Sequence, residues 1–309
     1  MGYWDPRGNA YSQPPGSEYA AAPQPQSLSI ALVAIAVVAL LVLGAVGYFV
    51  GGSVLASSRL SAAQDALAAA LSHQVKMKGD VTALSVGFLG STASSATPAD
   101  ISQEKDQLKQ VLDQASTVLS GIESDDAALA SADSDLLGLQ WLTWRSKSSL
   151  DAESAKVELE RQVLGQGITI TSDYILLGDF YQALLTIVVD MQAIQNASNS
   201  RDVNSTNVAD EMLKADVDKA IQQDGAPGLP ADVDPMLHAI KQFGIDFGKF
   251  LYDGSLGDIP TAQADLKAAQ ADAAKTQSYD FKKMGIAVSG YYAPLVDKFN
   301  ALITKVGNG

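Results

Sequence analysis

The chain has 309 residues, 21 basic against 35 acidic, a formal net charge of −14 and no cysteine. The missing thiols exclude disulfides, thiolate metal sites and cysteine catalysis. A surface this acidic repels phosphate backbones, which argues against nucleic acid as a partner.

Residues 1–27 hold five of the eleven prolines, with Gly, Gln, Ser and the aromatics Tyr3, Trp4, Tyr11 and Tyr19. That composition cannot bury a core and predicts a disordered tail. No PxxP repeat is present to turn it into a docking segment.

From Ile30 to Val50 the chain reads IALVAIAVVALLVLGAVGYFV without a charge. At ~1.5 Å per residue such a run spans roughly 32 Å, the thickness of a bilayer's hydrocarbon core. Within lipid it must be helical, because a helix satisfies its own backbone polar groups. Residues 28–56 are therefore predicted to be a transmembrane anchor. The run exceeds a secretory h-region and no positive n-region precedes it, so the anchor is expected to stay uncleaved. Val54-Leu55-Ala56 is the site at which cleavage would otherwise fall. Arg7 on one side and Arg59 on the other leave the positive-inside rule tied. The acidic, cysteine-free composition after the run places 57–309 outside the membrane, in the cell envelope, with the tail in the cytoplasm. Gly44, Gly47 and Gly51 share one face of the run. This small-residue pattern would let two spans pack as a homodimer, though it also arises by chance.

Beyond the run, apolar residues recur at alternating spacings of three and four. Leu60, Ala63, Leu67, Ala70, Met77, Val81, Leu84 and Phe88 form a heptad broken by Gln74, predicting a helix to about residue 90 with Gly51-Gly52 as a flexible point. Ser91 to Thr97 reads as a loop, and Pro98 opens a helix carrying Ile101, Leu108, Leu112 and Leu119. Ser124-Asp125-Asp126 predicts a new N-terminus, followed by a stripe from Leu137 through Trp141, Trp144 and Leu159 to Val163. Gly165-Gln166-Gly167 is expected to end that helix, and Ser172 or Asp173 to cap the next, with Tyr174, Leu177, Tyr181, Leu184, Val188 and Met191 inward. Asp179 and Asp190 argue against a second span there, each costing about 2.5–3.5 kcal/mol at mid-bilayer. Helices are then predicted over about 208–223, from Asp234-Pro235 to Gly254 with Phe243 and Phe247 inward, and from Pro260 to the end with Leu295 and Phe299 inward. Pro294 lies inside the last of them. The fold expected is all-α: one N-terminal transmembrane helix, then an up-and-down, coiled-coil-like bundle of six or seven helices.

The chemistry is sparse. His73 and His238 are isolated apart from Asp234 near His238, which is already explained as a helix cap. The acidic doublets lack the glycine and terminal glutamate of a calcium loop. No GxSxG, HExxH or phosphate loop is present, and Gly165-x-Gly167 lacks a third glycine. No catalytic residue, metal ligand or cofactor is expected. Trp141, Trp144, Tyr174, Tyr181, Tyr291 and Tyr292 are the candidates for either a ligand pocket or an aromatic core. The function expected is a membrane-anchored, non-enzymatic bundle serving as an interaction or scaffold module. A ligand-binding or sensory ectodomain signalling through a partner is one alternative, and an enzyme with an unrecognised site is the other.

Overall fold

A computed structural model describes residues 48, 50–74, 76, 78, 79 and 98–307. The predicted tail, nearly all of the apolar run with Gly44 and Gly47, the end of the predicted first helix with Met77, Val81, Leu84 and Phe88, and the loop over 91–97 fall outside the described residues. The chain divides into two compact units, Met1–Gly52 and Ser53–Gly309. Gly51 and Gly52 are helical.

The second unit is helical, with no strand among the described residues. It opens with α1 over 53–74. Then come α2 (Pro98–Leu137), a 3-10 turn (Trp144–Ser146), α3 (Lys147–Asn199), α4 (Val203–Gln223), α5 (Val233–Ser255), α6 (Ile259–Gln277) and α7 (Phe281–Gly307). α1 and α2 run antiparallel: Arg59 Nη1 donates to the carbonyl of Gly138, and His73 Nδ1 meets Asp125 Oδ2 at 2.9 Å. α2 returns along α3, where Arg161 Nε donates to Asp126 Oδ1 at 2.9 Å. α3 also packs against α4 and α7, and α5 packs between α4 and α6.

Two apolar cores follow from this path. The first is lined by Ala56, Ala63 and Ala70 of α1, Ala115, Ile122 and Leu129 of α2, Val157 and Leu164 of α3, and Phe299 of α7. The described part of the heptad, Leu60, Ala63, Leu67 and Ala70, thus packs inside its own unit. The second is filled by Phe180 and Ile187 of α3, Leu213 and Val217 of α4, Leu237 and Phe247 of α5, and Met284 of α7.

Helix boundaries depart from the sequence expectation in several places. The stripe predicted to run from Leu137 through Trp141 and Trp144 to Val163 is broken by a turn before Lys147, and α4 begins at Val203 and not near residue 208. Ser124-Asp125-Asp126 starts no helix; it lies within the 40-residue α2. The Asp125 and Asp126 side chains reach across to neighbouring helices instead of capping. Gly165 and Gly167 end nothing, and α3 continues through them and through Ser172-Asp173 as one helix of 53 residues. Glycine in a helix interior costs about 1 kcal/mol against alanine, a local penalty that packing along both halves of α3 overrides. The last predicted helix is two helices, because Ser278 to Asp280 breaks the chain between α6 and α7. α5 begins at Val233 behind Asp232, which makes no capping hydrogen bond, so Asp234 lies inside the helix and is not its cap. The caps of α4 and α6 obey local chemistry. Asp202 accepts from Ser205 N at 3.1 Å, and Asp258 accepts from Thr261 N at 3.3 Å with Pro260 in the first turn.

The inward residues are placed unevenly. Leu177, Phe247 and Phe299 are buried. Leu184, Met191, Phe243 and Leu295 are half-buried. Val188 is 41% exposed, although it shares the stripe of Leu177 and Leu184. Among the described residues, the helix over Trp144–Asn199 is long and apolar enough to cross a membrane, with a stretch of mean hydropathy 1.4. It also carries Asp179 and Asp190 and is flanked by α2, α4 and α7, as the central helix of a bundle would be.

Candidate functional site

The tyrosines converge where α3, α7 and the α4–α5 loop meet. Tyr174 of α3 and Tyr292 of α7 stack with ring centroids 4.3 Å apart and planes 9° from parallel. Tyr291 meets Tyr292 edge-on at 5.0 Å. The Tyr291 hydroxyl donates to Asp173 Oδ2 at 3.1 Å, and the Tyr292 hydroxyl to the carbonyl of Pro227 at 3.5 Å. Gly228 has a φ of +87°, and a Cβ there would lie 3.2 Å from Tyr291 Cβ. Conformation and space therefore both demand glycine at that loop position. Burial holds the Tyr292 phenol protonated, well above its ordinary range. Burial also raises the Asp173 carboxyl, against the opposing hydrogen bond from Tyr291. Tyr174 and Tyr292 are buried, so the stack fills its own space. Tyr181 lies half-buried at the junction of the two cores.

The tryptophans are elsewhere. Trp141 and Trp144 lie in the turn between α2 and α3 and are both exposed. Along α3, Lys147 and Tyr174 are separated by roughly 40 Å of helix rise. The six aromatic candidates thus split into a tyrosine cluster and an exposed tryptophan turn. Gly51, the one described member of the expected span-packing face, has nothing near its Cβ position.

Buried carboxyls are absent from the candidates drawn from the sequence. Glu160 of α3 is fully buried, and neither carboxyl oxygen has a hydrogen-bond partner. Burial pushes its pKa up to about 7, and the negative charge of Asp125 adds to the shift. Asp125 is in turn the partner of His73. In the second core, burial raises the Asp190 carboxyl, and a hydrogen bond with the Asp216 carboxylate raises it further, against Lys105 and Lys219. Asp210 is buried between α4 and α5, 3.2 Å from Lys214 Nζ. Gly244 and Gly248 make room for this pair: a Cβ on Gly248 would lie 2.9 Å from Asp210 Oδ2. The sequence does show Glu160 three residues from Val157 and Val163, on their stripe. An acid on an apolar stripe was the available signal.

His238 pairs with Asp234 one helical turn away at 3.2 Å, both well exposed. Among the described residues, no three His, Asp or Glu side chains are grouped as a metal ion would require. Family models, curated proteins and solved structures yield no match to this chain.

Proposed function

We propose that this chain is a membrane-anchored, non-enzymatic helical bundle that presents residues 57–309 outside the membrane as an interaction or scaffold module. The observation that carries the reading is the uncharged run from Ile30 to Val50, which ends just before an all-helical unit. Within that unit α3 has 53 residues, a rise of roughly 80 Å, suited to holding a surface away from a bilayer. The tyrosine stack supports a scaffold over a ligand receptor, because its rings occupy the space a ligand would take.

The topology is tested by protease shaving of intact cells, with antibodies against the tail and against α7. Loss of the α7 epitope with retention of the tail epitope is the expected result. Protection of α7 would reverse the orientation, and a mature N-terminus at Ser57 would remove the anchor.

A further inference from the structure

The turn between α2 and α3 concentrates exposed apolar side chains. Leu137, Leu139, Trp141 and Trp144 all project there, with Trp141 63% and Trp144 54% exposed. The turn itself is well built. Leu142 N donates to Leu139 O and Ser146 N to Thr143 O, both at 2.9 Å, and the Thr143 side chain is tucked inside. Leu139 holds a φ of +43°, a left-handed conformation that disfavours any side chain with a Cβ. A leucine in that conformation is half exposed, so burial within the unit does not offset the strain. From Gly138 to Leu150 the sequence GLQWLTWRSKSSL holds Arg145 and Lys147 and no acid, in a chain of net charge −14. The Arg145 guanidinium lies 5.4 Å from the Trp144 ring centroid. Lys147 also reaches Asp151, one turn further into α3.

The position of this turn within its unit supplies the occupant. Arg59 of α1 donates to the Gly138 carbonyl, and α1 and α2 are antiparallel, so the turn extends past Arg59 toward the beginning of α1. Exposed Val54 lies at that beginning. Val54 is four residues after Val50, and so many residues reach at most about 14 Å whatever their path. Gly138, where the turn begins, is therefore connected through Arg59 to Val50 by no more than nine residues of chain. Tryptophan is the side chain favoured at the headgroup level, where its ring is apolar and its N–H finds polar groups, and arginine and lysine beside it meet lipid phosphates.

We propose that the Leu139–Lys147 turn is a second membrane contact, with Trp141 and Trp144 seated in the headgroup region of the bilayer that holds this chain's own span. The inference rests on the anchored reading above. It makes the membrane-proximal end of the bundle a two-point attachment, one through the span and one through the turn, which fixes the tilt of the bundle over the surface.

The test uses the full-length chain carrying Trp4→Phe, so that Trp141 and Trp144 are the only tryptophans, reconstituted in vesicles of phosphatidylcholine and phosphatidylglycerol. Tryptophan emission is recorded with lipids brominated near the headgroup or near the chain end, and with aqueous acrylamide. The expected result is quenching about twofold stronger from the shallow bromine than from the deep one, with reduced access for acrylamide. Full acrylamide access without bromolipid quenching would place the turn in water and overturn the proposal. Shielding from both quenchers would mean that protein covers the turn, and would overturn it equally. Alkaline carbonate extraction of the same vesicles reads the span separately. A chain stripped by carbonate refutes the anchored reading and the two-point attachment with it, whereas a retained chain with unquenched tryptophans refutes the turn contact alone.

Discussion

α1 enters the first core through alanine, at Ala56, Ala63 and Ala70, and α2 adds Ala115, whereas the core around α4 and α5 is filled by Phe180, Phe247, Met236 and Met284. Alanine stripes let helix axes approach closely along a long seam, so each residue contributes little and length makes up the difference. Large aromatic and thioether side chains bury far more area per residue and lock a shorter packing of several helices. Each region also carries a buried acid on α3, Glu160 in the first and Asp190 in the second. Asp190 has Asp216 as a hydrogen-bond partner and feels Lys105 and Lys219, while the charge that Glu160 feels is that of Asp125. One sequence thus builds a seam that tolerates few extra atoms and a cluster that tolerates few missing ones.

That contrast can be broken by substitution. The largest effect is expected from Phe180→Ala, which empties the second core at a fully buried ring. It should cost about 3–5 kcal/mol in denaturant unfolding. A loss below about 1 kcal/mol would show that the cluster does not hold the fold. Ala63→Leu should be the corresponding injury to the seam. Ala63 is fully buried, and overpacking there should cost up to about 3 kcal/mol, where the same change at an exposed α1 position costs almost nothing. A neutral Ala63→Leu would mean that α1 sits looser against α2 than the seam requires.

The buried acid sharpens the comparison through pH. The folded pKa of Glu160 is raised from 4.5 to about 7. The folded chain therefore retains a proton that the unfolded chain has lost. This contribution to stability is fully present below the unfolded pKa and is lost as pH rises through about 7. Unfolding free energy should fall with rising pH across that window by on the order of 2 kcal/mol. Glu160→Gln, which cannot ionise, should flatten that part of the profile. An unchanged slope in the variant would assign the pH dependence to other groups. The smallest effect is expected at Val188, where Val188→Ala should cost less than about 0.5 kcal/mol because the side chain is 41% exposed. A larger loss would show that a partner covers this face of α3.

The helical class was legible from sequence because three-and-four spacing reports directly which face of a helix turns inward. The starts at Pro98 and before Pro260 were legible for a similar reason, since a first-turn proline and a capping acid act within a few residues. What failed was the reading of Ser124-Asp125-Asp126 and Gly165-Gln166-Gly167 as ends, and of Trp141 and Trp144 as inward residues. Those motifs carry a local preference of about 1 kcal/mol, and continuous packing of α2 against α3 exceeds it.

By itself the sequence determined the helical class, the apolar run at Ile30–Val50, the absence of thiol chemistry and the acidic surface. Each of these depends on residue type and on spacing within one segment. Tertiary structure alone decided that the tyrosines of α3 and α7 stack while the tryptophans do not join them, and that the chain turns at Gly138 and not at Ser124. It also decided that Glu160 is sealed from water and that Val188 is not. Those outcomes depend on which segments lie side by side, and a helix's own period cannot say which partner, if any, covers a given face.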